Sequence, residues 1–413
     1  MSRTTTSTAI RDACSIFLLT SAVPVACVGG DPNGTTYVNR DSSGVVVVES
    51  NRPLLQDPHS WMVVDTPFLS IGVAEGDTTL ELFRVMDAVR LSTDTIVVVN
   101  GGASQVRWYD PTGRFIRAVG RVGAGPGEFS EYGPGGMCIL PPDQLLIADP
   151  IQRRANVFTI AGEFVTVLQV GTAGFFPSVQ ACFADGTLLG WHALSPPERT
   201  PGTIFQPTFI WSRLASEGSV LTELATLPAH PQYLLEQDDG TATYHAIPFT
   251  VAPSASAAGD AFYVTSGTTA VVERKDLNGV LQLILHWAAP DRVRSEDVYD
   301  RFRSYMLESQ TSPERRAHWA NFFSIGVDLP EQIAAVRGLQ VDDAGNLWAE
   351  RYRLPWDSFP VWDVFDSQGV WLTTVTLPIG LQVYQIGSEF VLGLSRDDMG
   401  VERIHLHALE RGQ

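Results

Sequence analysis

The 413-residue chain contains a single lysine, Lys275, and no run of basic residues. Its formal charge is −18, from 46 acidic against 28 basic side chains. A surface so poor in cations repels phosphate backbones, so nucleic acid is not an expected partner. The shortage of lysine is read as genome composition and carries no functional meaning. Cysteine is also scarce: four residues are too few for a disulfide scaffold. No Gly-x-Ser-x-Gly elbow, His-Glu-x-x-His or Cys-x-x-Cys occurs, which removes the common hydrolase and metal signatures. What is plentiful is core-forming material, with 44% hydrophobic and 18% charged residues, and Gly 36 and Pro 26 for tight turns. Length alone suggests two to three domains.

A long hydrophobic run is missing as well. The apolar stretch from Ile16 to Ala26 has eleven residues, whereas a membrane-spanning helix needs about 20. Following Arg3 and Arg11, it fits the apolar region of a secretory signal. It ends Pro24-Val25-Ala26-Cys27 and resembles a bacterial lipoprotein signal, with Pro24 where that family usually has leucine. The resemblance implies lipidation at Cys27, residues 1–26 as signal peptide, and an exported protein lipid-anchored in the cell envelope, periplasmic or at the cell surface. Residues 27–60 then read as tether and lead-in. Cys14 falls in the leader, leaving Cys138 and Cys182 in the body. They are expected as two buried thiols; a disulfide depends on their Cα separation.

Before about residue 291 no long helical periodicity occurs, only short apolar runs punctuated by Gly, Asp and Pro. Shifting the chain so that Asp94 meets Asp143 also superposes Ile96 on Leu145, Tyr109 on Phe158, Gly113 on Gly162 and Phe115 on Phe164. Each copy reads as an antiparallel meander. Looser copies open at Asp185-Gly186, Gly259-Asp260, Asp343-Ala344-Gly345 and Gly387-Ser388. The sixth lacks its last strand, while a spare strand-like segment, Pro67 to Gly72, precedes the first. The expected fold is an all-β, six-bladed β-propeller over residues 61–413, with the N-terminal strand closing the last blade.

The stretch Gly120-Arg121-Val122-Gly123-Ala124-Gly125-Pro126-Gly127-Glu128-Phe129, followed by strand, turn and Leu145 to Asp149, resembles the NHL repeat. The resemblance implies a six-bladed propeller, a superfamily that includes lactonases, lyases and hydrolases. Its motifs specify turns, not chemistry. The glycines at 120–127 are not a phosphate loop, because no lysine is near and strand follows strand.

Three insertions fall in the loop classes of one face: His192–Gln206, Pro228–Ala246 and Asp291–Gln332. The last reads as two helices. Ser295 caps the first, which carries Val298, Phe302, Tyr305 and Met306 on one side; Ser312-Pro313 starts the second, with Trp319, Phe322 and Phe323. Shorter loops on that face bring Asn100, Asp149, Arg153, Arg154, Arg351, Arg353, Trp356 and Arg396, with His192, into a candidate ligand-binding rim. The competing reading pairs the arginines with Asp149, Asp357 and Asp397 as solvated surface. His405 and His407 share a strand face that metal ligation could use, yet no third ligand accompanies them, so no metal site is assigned. The acidic pairs Asp238-Asp239, Asp342-Asp343 and Asp397-Asp398 are turn residues. No catalytic residue is assigned and no cofactor is indicated. The expectation is a monomeric tethered propeller that binds a protein, peptide or glycan through its insertion-bearing face. The alternative is a propeller enzyme of lactonase, lyase or hydrolase type, with a polar or metal site at the channel mouth.

Overall fold

The computed structural model describes residues 36–171, 177–196, 199–236, 240–290 and 292–412. Cys27, Cys14 and the pair Asp238-Asp239 lie outside the described residues. The chain is mostly β-sheet, in antiparallel units that resemble propeller blades, with a small helical insertion. Among the described residues no helix is long and apolar enough to cross a membrane.

The turns explain why the repeat is visible. In the first sheet (Val85–Arg90, Ile96–Asn100, Gln105–Tyr109, Phe115–Val119), Asp110 Oδ1 accepts hydrogen bonds from the N–H groups of Thr112 and Arg114. Gly113 takes the left-handed conformation that closes the turn (φ 82°). The same construction recurs at Asp276, Asp366 and Asp397, each accepting from the residues two and four positions on. Asp342 of the pair Asp342-Asp343 does likewise, through Ala344 and Asn346. The Thr112 hydroxyl and the turn N–H groups hold the Asp110 carboxyl below its usual range.

The second sheet comprises Met137–Leu140, Gln144–Asp149, Arg154–Thr159 and Phe164–Gln169; the third, Ser178–Cys182, Leu188–Leu194, Thr208–Leu214 and Val220–Pro228. The fourth has Ser254–Ala258, Ala261–Thr265, Val271–Lys275 and Leu281–Trp287, and the fifth Val336–Val341, Leu347–Arg351, Val361–Phe365 and Trp371–Thr376. The sixth has Gln382–Ile386, Phe390–Arg396 and Glu402–Glu410, the last of which pairs antiparallel with two N-terminal strands, Met62–Val63 at Leu409–Glu410 and Leu69–Ile71 at Ile404–Leu406. Ile96–Asn100 is buried at every position, whereas the outer Phe115–Val119 is mostly exposed. That gradient is expected where sheets stack face to face and only outer edges meet water.

Apolar clusters join consecutive sheets. Val97, Val99 and Trp108 of the first meet Leu145, Ile147 and Phe158 of the second. Ile71 packs with Leu392 and Ile404 of the sixth and with Val85, Ile96 and Tyr109 of the first. The first strands are also linked in series. Met137 N–H donates to Asp87 (2.8 Å), Cys138 is disulfide-bonded to Cys182, and Gln180 donates to the carbonyl of Ala255. Leu339 N–H then donates to Ser254 Oγ (3.0 Å), Gln340 to the carbonyl of Tyr384 (2.8 Å), and the Tyr384 hydroxyl to the carbonyl of Val85 (2.9 Å). The cysteines, expected as buried thiols, are thus a cross-link between two first strands with Cα atoms 5.6 Å apart.

Part of the segment read as tether is sheet. Tyr37–Ser42 and Val45–Ser50 form a hairpin whose second strand runs parallel to Leu281–Trp287. Four consecutive valines, 45 to 48, supply the β-branched surface, and Val48 is fully buried. The helical insertion follows its caps: Ser295 Oγ accepts from Val298 N–H ahead of α1 (Glu296–Glu308), and Ser312 precedes α2 (Pro313–Ile325) with proline in its first turn. Phe302, Phe322 and Phe323 pack on Tyr233, Leu235 and Phe249. Tyr233 and Leu235 belong to a small separate sheet of Ile204–Phe205, Gln232–Glu236 and Ala242–Ala246.

Candidate functional site

Several residues of the expected rim occupy one recurring place. Asn100, Asp149, Arg351 and Arg396 each end the second strand of a sheet, as Thr265 does in the fourth. There they hold loops and neighbouring strands. Asn100, 1% exposed, accepts from Phe83 N–H (3.0 Å) and donates to the carbonyl of Glu81. Asp149, fully buried, accepts from the N–H and hydroxyl of Ser130 and from Gln152 N–H. Arg351 grips the buried Asp363 with two bonds of 2.8 and 2.7 Å; Trp287 and Thr374 donate to the same carboxylate. Arg396 holds Glu402, which accepts the N–H of Val85. The partners of these arginines differ from those the alternative reading named: Asp357 pairs with Arg292, and Asp397 with Arg403.

The other rim residues divide. Arg154 donates to the carbonyls of Ala124, Gly125 and Glu128, clasping the glycine-rich connection between the first two sheets. Arg153 and Arg154 line one cleft with Asp149. Arg353 lies elsewhere, in a groove with Arg337 and Glu350. Trp356 stands under Arg301, 4.4 Å from ring centroid to guanidinium carbon, against the helices. His192 is half-buried within the third sheet, and that burial lowers its pKa against the pull of Glu223.

The cleft that gathers Asp149, Arg153 and Arg154 has a volume of about 210 Å³ and mainly apolar walls from Met86, Pro150, Pro177 and Val179. It lies where the first strands of the first three sheets begin. The first strands of four sheets share an irregularity. The register shifts between Val85 and Asp87, and again between Val179 and Ala181, Val336 and Gly338, and Val383 and Gln385. In the second sheet both Gly135 and Gly136 exchange backbone bonds with Ala148. Bulges of this kind re-aim side chains.

Gly136 forms part of the cleft lining. Among the described residues, a Cβ there would meet within 4 Å only the carbonyl oxygen of Val179 (3.7 Å) and Asp87 Oδ2 (3.8 Å). Glycine therefore leaves no side chain between this part of the cleft lining and the Asp87 carboxyl. Burial pushes the Asp87 pKa up to about 7, against the hydrogen bonds from Met137 and Ala88 N–H that pull it down. Tyr384 is raised too, by burial first and then by the charges of Asp87 and Glu402. A carboxyl half protonated near neutral pH can donate to a carbonyl oxygen and take the proton back. Asp87 went unnoticed in sequence because one acid in an apolar strand carries no motif. The available signal was the repeat itself, which aligns Met86-Asp87 with Gly135-Gly136.

Among the described residues no group of three or more His, Cys, Asp or Glu side chains is gathered to hold a metal ion.

No protein-family model matches the chain, and no curated protein matches it. Solved structures do. A Bacteroides fragilis NCTC 9343 protein assigned as exported is 12% identical, with TM-score 0.50, over 89% of this chain and 100% of its own. A member of the DUF4221 family from Bacteroides vulgatus is 10% identical, with TM-score 0.45, over 86% of this chain and 99% of its own. More remote is a gluconolactonase from Xanthomonas campestris, 13% identical with TM-score 0.39, over 84% and 99%. At such identities the likeness concerns the fold.

Proposed function

We propose that the chain is an exported six-bladed β-propeller of the NHL-repeat-like kind, its ring closed by Leu69–Ile71, and that it acts on a small carbonyl compound held in the cleft beside Gly136. The observation that carries this reading is the conjunction of an apolar cleft, a glycine in its lining and the carboxyl of Asp87 next to that glycine. The apolar walls take the body of the ligand, and protonated Asp87 donates to its carbonyl oxygen as general acid. This is the propeller-enzyme alternative, of lactonase, lyase or hydrolase type. Export is supported by the leader before Cys27 and by the Cys138–Cys182 disulfide, since such cross-links persist in oxidising compartments. Lipidation at Cys27 would tether the ring to the membrane.

A binding surface for protein, peptide or glycan on the insertion-bearing face is the second reading. It is favoured by the exposed Tyr244, over which Arg199 lies 5.4 Å from the ring centroid. The two readings separate experimentally. Gly136 has no left-handed φ, so Gly136→Leu is tolerated by the backbone while its side chain enters the cleft. Screening small lactones and cyclic amides by ligand-observed NMR should find binders to the native chain that Gly136→Leu loses. Binders unaffected by Gly136→Leu, or hydrolysis unaffected by Asp87→Asn, would overturn the proposal.

A further inference from the structure

Strand Glu402–Glu410 carries His405 and His407 two residues apart, with ring centroids 5.7 Å from each other. Both line a cavity of about 370 Å³ together with Asp65, Phe359, Ile379 and Ser395. Each imidazole is held by its Nδ1 atom. His407 Nδ1 lies 3.0 Å from the carbonyl oxygen of Val64, and His405 Nδ1 lies 3.1 Å from Ser395 Oγ. A carbonyl only accepts, so His407 carries its proton on Nδ1 and presents a lone pair at Nε2. That Nε2 is buried in a residue 2% exposed, with no hydrogen-bond partner. A buried polar atom left unpaired needs an explanation. An imidazole with Nδ1–H on a carbonyl and Nε2 open is arranged as a metal-ligating histidine is.

The spacing agrees. With metal–nitrogen bonds of about 2.0–2.1 Å, two imidazoles on one tetrahedral ion have centroids roughly 5 Å apart. The observed separation is within reach of small side-chain rotations. We propose that His405 and His407 ligate one divalent transition-metal ion through their Nε2 atoms, at a site distinct from the cleft beside Gly136. Nitrogen donors favour zinc, copper or nickel over magnesium or calcium. Asp65 does not complete a group of three ligands, but it lines the same cavity, where its negative charge would offset that of a bound ion. Water or a small anion takes the open positions.

The test titrates the chelator-stripped full chain with zinc sulfate alone, followed by calorimetry and zinc X-ray absorption. One ion per chain is expected, in a shell of nitrogen and oxygen without sulfur. Asparagine retains a donor at the Nδ1 position and deletes Nε2, so His405→Asn and His407→Asn should each lose the ion while unfolding normally in chelator. Ser395→Ala, which removes only the outer partner of His405, should weaken binding about tenfold. Native chain that binds no zinc, a sulfur-containing shell, or His407→Asn that binds zinc as tightly as the native chain would each overturn the proposal. Should a variant fail to fold, the absorption spectrum of the native chain still decides, because two imidazole ligands give a multiple-scattering signature that water ligands lack.

Discussion

The strand Leu69–Ile71 offers the sharpest test of the architecture, because it lies more than 300 residues from the strand it pairs with. Ile71 is 1% exposed and packs between Ile404 and Leu392 on one side and Val85, Ile96 and Tyr109 on the other. The turn of the first sheet leans on it too, since a Cβ at Gly113 would come within 3.2 Å of both Ile71 and Leu69. Truncating such a side chain typically costs 2–5 kcal/mol, lost transfer energy plus residual cavity, and the upper half of that range is expected for Ile71→Ala because two sheets lose their contact. Phe68 is the internal control. Its N–H bonds the carbonyl of Leu406, but the residue is 57% exposed, so Phe68→Ala should stay within about 0.5 kcal/mol. Deleting residues 60–75 removes the whole outer strand and should lower the unfolding midpoint of the entire chain in one cooperative step. The assay is urea unfolding followed by tryptophan fluorescence and by far-ultraviolet circular dichroism. If Ile71→Ala cost no more than Phe68→Ala, or if the deletion left the midpoint in place, closure by this strand would be wrong.

Other expected outcomes follow from single groups. Reducing the Cys138–Cys182 bond, or replacing both cysteines by alanine, should cost up to about 4 kcal/mol from loop entropy alone for a sequence separation of 44, read as a shift in urea midpoint. Arg351→Met leaves Asp363 buried without its cation and should destabilise by about 3–5 kcal/mol, a loss that calorimetry should register. Asp87 binds its proton more tightly folded than unfolded, so its contribution to stability falls as pH rises from about 4 to about 7 and is flat above. From its pKa of about 7 the full swing is at most about 4 kcal/mol. Asp87→Asn should flatten that slope in urea titrations between pH 5 and pH 8; an unchanged slope would refute the assignment.

Much of the fold was legible because its turns are chemical. Asp110-x-x-Gly113 and its counterparts at Asp276, Asp366 and Asp397 recur since a carboxylate and a left-handed glycine are what such a turn requires. Ser295 and Ser312 marked the two helices for an equally local reason. Non-local features escaped. The hairpin at residues 37–50 was read as tether because its partner strand lies beyond residue 280. Arg351 and Arg396 suggested a ligand-seeking rim because Asp363 and Glu402 reach them only across neighbouring strands. Asp87 needed the bulge at Met86 and the bare backbone of Gly136 to become conspicuous. His405 and His407 were visible as a pair, but not the cavity they both line or the Val64 carbonyl that fixes a tautomer.

The central claim is that a carboxyl titrating near neutrality adjoins a ligand cleft. Carbon-13 NMR of aspartate-labelled protein, with Asp87→Asn to assign the resonance, measures this directly when titrated with and without a bound lactone. The account predicts a midpoint near pH 7 that moves upward in the complex, because the protonated form is the donor. A midpoint near that of an ordinary aspartate, about 4, or one indifferent to the lactone, would contradict it.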